Sequence, residues 1–146
     1  MTRNNGEHVR TIEILADRFI PVGELIVRGN SQITYGAGAA LITRPGEMLV
    51  HPALMAKVLG KILDWSQDGD PDHVQRPWLE YLPAFVVNKG TGKPSSGWYE
   101  GRAARGLPRV AVSEARALGQ ALIAQSWRNT VNERVDAVYK KAVNDS

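Results

Sequence analysis

The stretch ELIVRGNSQITYGAGAALITRPGEMLV, residues 24–50, decides how the rest of the chain is read. Leu25-Ile26-Val27 is a short apolar run of strand formers. Gly29-Asn30 can supply the positive-φ positions of a tight hairpin turn, and Gln32-Ile33-Thr34-Tyr35 is then the return strand. Gly36-Ala37-Gly38 interrupts it as a bulge or sharp bend would. Arg44-Pro45-Gly46 separates residues 39–43 from residues 48–50, and Pro-Gly favours a type II turn. The stretch predicts a small antiparallel meander, and the chain an α+β fold.

The flanking segments read as helices that cover this sheet. His51-Pro52 opens one over 52–66, with Pro52 at the first helical position, where its missing N–H does no harm. Leu54, Met55, Val58, Leu59, Ile62 and Leu63 form its apolar face, and Lys57, Lys61 and Asp64 fall on the other. Upstream, Val9, Ile12, Leu15, Ala16 and Phe19 recur at helical spacing and predict a helix over 7–19. A strand competes there, because Thr11-Ile12-Glu13-Ile14 alternates. Pro21 and Gly23 end either element. Residues 77–87, rich in Trp, Tyr, Leu, Phe and Val but broken by Pro77 and Pro83, read as a helical turn followed by a strand near 84–88. From Ser113, a good N-cap, there is no proline before the end of the chain. Leu118, Ala121, Leu122, Ala124, Val131, Val135, Val138 and Ala142 make one stripe, heptad-like from Val131 onward. A helix over 113–143 would be about 45 Å long, more than a domain of this size spans. The whole reads as a single domain over 1–146, with a disordered lead at 1–6 and a basic, glycine-rich loop at 88–109.

That loop holds the chain's surplus positive charge. Lys89, Lys93, Arg102, Arg105 and Arg109 stand there against Glu100 alone. Of 18 basic and 15 acidic residues, 13 and 14 lie outside it. Trp98 and Tyr99 supply its aromatic bulk. Lysine and arginine neutralise phosphates and exposed aromatics stack on bases. Trp, Tyr and Arg are equally the usual anchors of protein interfaces. Lys89, Lys93, Trp98, Tyr99, Arg102, Arg105 and Arg109 are therefore the candidate binding residues, for a protein partner or for nucleic acid. Val131, Val135, Val138 and Ala142 are the candidate interface for a second copy.

Catalytic motifs fall short of their required spacing. Gly90-Thr91-Gly92-Lys93-Pro94-Ser95 resembles the end of a P-loop, but Val87 stands where the first glycine belongs and Pro94 where Ser or Thr must follow the lysine. Asp64, Ser66, Asp68, Gly69 and Asp72 fall at positions 1, 3, 5, 6 and 9 of a calcium loop. Gln75 replaces its bidentate glutamate, so a cation loop and a solvated turn both stand as readings. His8, His51 and His73 have no metal-ligand spacing, and His51 suits capping or packing at a helix start. Glu80 and Glu100 lie near aromatics, as a general acid pair would, or as surface acids beside core aromatics. With no cysteine there is neither thiolate site nor disulfide. These readings predict no catalytic residue, no metal and no cofactor. No apolar run reaches the ~20 residues of a membrane helix, so no membrane association is expected.

The run Asp68-Gly69-Asp70-Pro71-Asp72 after a helix, followed by Arg76-Pro77-Trp78-Leu79, resembles a segment of phage virion-morphogenesis (tail-completion) proteins. The resemblance stops at Leu79, and the downstream pattern of such proteins does not follow. It implies an assembly component of viral type. The expected function is accordingly non-catalytic. An interaction or assembly protein, cytoplasmic or in a virion, would bind a macromolecular partner through the basic loop and the long helix. A nucleic-acid-binding module using the same loop is the alternative.

Overall fold

The structure, a computed structural model, describes residues 11–69, 76–95 and 97–145. The expected lead at 1–6 and His8, His73 and Gln75 lie outside the described residues. Helix α1 runs Ile12–Arg28. Thr11 is extended, and its Oγ1 accepts the Ile14 N–H at 3.2 Å, satisfying one of the donors a helix start leaves unpaired. The helix does not stop at Pro21 or Gly23. Pro21 is exposed and removes a single backbone donor, while Leu15, Ala16, Phe19, Ile20, Gly23 and Val27 form the buried face. Gly23 is a packing contact, since a Cβ there would lie 2.5 Å from Leu82 Cδ2.

The antiparallel meander expected over 24–50 is absent, and the α+β expectation is corrected to a mainly helical fold. Leu25-Ile26-Val27 is the last turn of α1. Gly29-Asn30 closes that helix instead of a hairpin. Asn30, at φ 50°, donates to Val27 O at 3.1 Å, and Ser31 donates to Ile26 O at 3.0 Å. Those two bonds are the Schellman pattern of a helix C-terminus. Ile33–Thr34 forms β1, which pairs in parallel with β2, Val86–Val87, in the register Ile33↔Val86 and Thr34↔Val87. Thr34 then caps α2, Tyr35–Leu41, accepting the Ala37 N–H at 3.1 Å. Gly38 belongs to this helix. Its missing Cβ leaves room for Met55 Cε at 3.1 Å and Phe19 Cε1 at 3.4 Å. The Pro-Gly turn forms, with Gly46 at φ 85° and Glu47 donating to Arg44 O at 3.1 Å. Its flanks do not pair. Thr43 Oγ1 donates to Ala39 O and accepts the Val50 N–H, both at 2.9 Å. Arg18 meanwhile grips the Glu47 carboxylate with two hydrogen bonds, at 2.8 and 3.0 Å. Strand propensity lost here to one-sided burial of Val27, Ala39, Ile42 and Val50.

Helix α3, Leu54–Asp68, buries Met55, Val58, Leu59, Ile62, Leu63 and Trp65, the face read from the sequence plus the tryptophan. His51 Nδ1 accepts the Ala53 N–H at 3.0 Å just before it, a capping role. A 3₁₀ segment, Pro77–Phe85, runs straight into β2 and sits at the centre of the molecule, touching α1, α3 and the last helix. It is long for a 3₁₀ run. Trp78, Leu79, Leu82, Pro83, Ala84 and Phe85 are all buried, so tertiary packing holds it.

Residues 88–109 are not one continuous loop. Asn88 and Lys93 close a tight turn, with the Asn88 N–H donating to Lys93 O at 2.9 Å. Helix α4, Gly97–Ala104, follows and buries Trp98 and Arg102. These two residues are four apart and so share one helix face. Helix α5 spans Val112–Asp145. Only Ala115, Gly119 and Ile123 of it are buried, and from Ala124 to Asp145 every residue is exposed. A Cβ on Gly119 would sit 3.2 Å from both Phe85 Cε1 and Tyr81 Cβ, which marks where the helix lies against the 3₁₀ segment.

Candidate functional site

The seven candidate residues of the basic segment divide by burial. Lys89 and Lys93 are exposed on the turn at 88–93. Trp98 is buried, and its Nε1–H donates to Val110 O at 3.2 Å. Tyr99 is half-buried and meets Trp98 edge-on, with ring centroids 6.4 Å apart. Arg109, itself exposed, lies over the Tyr99 ring at 4.0 Å, within cation–π range.

Arg102 is the most buried charged residue described, at 1% exposure. Its Nε donates to Pro108 O at 2.8 Å and its Nη2 to Glu80 Oε2 at 2.9 Å. The guanidinium also lies 5.2 Å from the Trp98 ring and 5.7 Å from the Tyr81 ring. Glu80 is thereby committed to an ion pair. Glu100 is exposed on α4, so Glu80 serves the fold rather than a carboxylate pair. Burial pushes the neighbouring Tyr81 phenol above its ordinary range; the Glu80 charge adds to the shift and Arg102 opposes it. Desolvation lowers Arg116, whose Nε donates to Ala84 O at 2.8 Å.

Arg105 ties α4 to α3. Its Nε donates to Asp64 Oδ1 at 2.6 Å, its Nη1 to Gly101 O at 2.9 Å and its Nη2 to Gly60 O at 3.1 Å. Asp64, the first position of the calcium-loop reading, is therefore spoken for, while Asp70 and Asp72 lie outside the described residues. Gly69 N–H donates to Trp65 O at 2.7 Å and closes α3.

Beside Arg105 a cleft of about 390 Å³ opens between α3, α4 and the start of α2. Buried Leu59, Leu63, Pro83 and Trp98 line it, and Lys57, Lys61, Tyr35 and Ser95 complete it. Tyr35 O–H donates to Ser95 Oγ and its oxygen accepts the Ser95 N–H, both at 3.1 Å. This cleft was missed in the sequence. Lys57 and Lys61 were legible as one helix face, but Trp98 and Arg105 reach them only through tertiary packing.

The second candidate surface is the far part of α5. Trp127, Val131, Val135, Val138 and Tyr139 are exposed there, Val135 to 59% and Val138 to 69%. Ala142 is exposed as well. Arg28, the last residue of α1, lies over the Trp127 ring at 4.7 Å. Leu41, Met48 and Leu49 are exposed elsewhere.

Among the described residues no helix is long and apolar enough to cross a membrane. Comparisons with protein-family models, with curated proteins and with solved structures find no match to this chain.

Proposed function

We propose that this protein is a non-catalytic assembly protein that pairs with a second copy of itself along the projecting part of α5. The observation that carries the reading is the exposed stripe Trp127, Val131, Val135, Val138 on a helix whose buried residues end at Ile123. Residues 124–145 extend roughly 33 Å. A helical segment of this length gains its stability from packing of an apolar face, and apart from Arg28 against Trp127 every residue from Ala124 to Asp145 is exposed. The heptad-like spacing of Val131, Val135, Val138 and Ala142 suits helix-on-helix pairing. Charge does not oppose a like partner. Arg128, Arg134, Lys140 and Lys141 stand against Glu133, Asp136 and Asp145 on this segment, so two copies meet with little net repulsion.

The basic segment has a changed part in this reading. Arg102, Arg105 and Trp98 hold the fold, and Lys89, Lys93 and Arg109 with Tyr99 are the groups left to meet an anionic surface. Analytical ultracentrifugation over a concentration series tests the proposal. Wild type is expected to sediment as a concentration-dependent dimer, and Val135→Asp as a monomer that keeps the fold of the core and loses helicity only in the projecting part of α5. A wild type that stays monomeric at high concentration, or a Val135→Asp variant that unfolds, overturns it. Association that appears only when nucleic acid is added would transfer the function to the basic residues.

A further inference from the structure

The cleft between α3, α4 and α2 has features that its role in packing does not use. Leu59, Leu63, Pro83 and Trp98 give it an apolar interior. Its volume of about 390 Å³ lies within the range of small-molecule sites, which are mostly apolar with a few placed polar groups. Its charge is one-sided. Arg105 and Asp64 neutralise each other at 2.6 Å. Lys57 is exposed and shows no acidic partner among the described residues. Lys61 has only Glu13, whose Oε1 is 3.9 Å away and whose side chain is 66% exposed. The two lysines lie four apart on α3 and therefore on one face, both lining the cleft.

The polar wall is preformed. The Arg105 guanidinium is held by Asp64, Gly60 O and Gly101 O. Tyr35 and Ser95 are likewise locked to each other. A ligand entering this space would meet a fixed wall on this side, and the ordering that its binding requires is that of Lys57 and Lys61. We infer that the cleft binds a small organic carboxylate, with its aromatic or branched apolar body against Leu59, Leu63, Pro83 and Trp98 and its carboxylate at Lys57 and Lys61. A bare inorganic anion would leave the apolar interior unfilled, and a neutral ligand would leave the lysines unused. The inference is independent of the pairing along α5, which uses none of these residues.

The test is an amide-resolved NMR titration of the full chain with three probes: 4-phenylbutyrate, the neutral 4-phenylbutan-1-ol, and acetate. The expected result is saturable shifts at Leu59, Gly60, Gly97 and Gly101 with phenylbutyrate. The alcohol should bind the same place about tenfold or more weakly, as loss of a charge-assisted contact predicts, and acetate should give no saturable shift. Lys57→Gln with Lys61→Gln should bring phenylbutyrate down to the affinity of the alcohol. Ala56→Trp, at an exposed position on the cleft, should abolish binding of both. Absence of saturable shifts at millimolar phenylbutyrate, equal binding of acid and alcohol, or a lysine double variant that binds as wild type overturns the inference. Those lysines are solvent-accessible, so their replacement leaves the fold intact and the result readable.

Discussion

The basic segment at 97–109 and the far half of α5 reverse the usual distribution of side chains. In the first, an arginine sits at 1% exposure and a tryptophan is tucked beneath it; in the second, Val135 and Val138 stand 59% and 69% exposed. The difference lies in what each segment can reach. Arg102 finds Glu80, the Pro108 carbonyl and two aromatic faces, which replace much of the water it gives up and leave only Nη1 without a hydrogen-bond partner among the described residues. Val138 belongs to a stretch of helix whose buried residues end at Ile123 and whose ring contact with α1, Arg28 over Trp127, falls well short of Val138. In these two segments charge does not mark a surface, and apolar patterning does not mark a core. Whether a partner lies within reach decides each case.

The largest expected effect that could break this comparison is at Arg102. Arg102→Gln should destabilise the protein by about 3 kcal/mol, because removing one partner strands the other charge of a largely buried pair. The estimate takes the lower end of the usual range, since the Glu80 side chain keeps 22% exposure. A urea denaturation midpoint that falls with an unchanged slope would confirm it. A variant as stable as wild type would return Arg102 to the solvent-facing role that its sequence context suggests.

A smaller effect sharpens the boundary on α5. Ile123→Ala should cost about 2–3 kcal/mol, as truncation of a buried aliphatic side chain does. Val138→Ala should stay within about 0.5 kcal/mol at concentrations where the protein is monomeric. Similar losses at both positions would mean that the helix is packed along its whole length.

The smallest effect concerns pH and the surroundings of Arg102. The Tyr81 phenol is raised by burial first and by Glu80 second, so the folded state favours the protonated form. Its contribution is fully present below the unfolded phenol value near pH 10 and is lost as pH rises through the higher folded value. Tyr81→Phe, which also removes the phenol's hydrogen bond to Glu80, should lower the melting temperature slightly at neutral pH and make the alkaline decline above about pH 10 shallower. An unaltered alkaline limb would show that Tyr81 does not titrate in that window.

Local pattern was enough for α3, for α5 and for the helical turn leading into Val86-Val87. In α3 apolar spacing and burial agree; in α5 the helix was legible but its buried side was not, since Ala115, Gly119 and Ile123 are buried while Leu118, Ala121 and Ala124 of the expected stripe are exposed. The same logic failed over 24–50, where a Gly-Asn pair ends a helix as readily as it turns a hairpin, and β-branched residues sit wherever one side is buried. It failed at Pro21 and Gly23 for a different reason. A proline facing solvent removes one donor without halting a helix whose inner face is well packed, and Gly23 is there for Leu82. The candidate site was legible in part. The segment was found, but Arg102 and Arg105 were read by their charge, and their partners Glu80 and Asp64 lie 22 and 41 residues away.

The sequence by itself determined the long terminal helix with its unmatched stripe, the buried face of α3, and the gathering of positive charge between Asn88 and Arg109. These follow from spacing along the chain, and spacing is a local property. Only the tertiary structure decided that residues 24–50 are helix and turn, that two arginines of the basic segment belong to the fold, and that a lysine-edged cleft exists beside them. Each of those depends on which distant atoms come within a few ångströms, a matter of three-dimensional packing that no local pattern encodes.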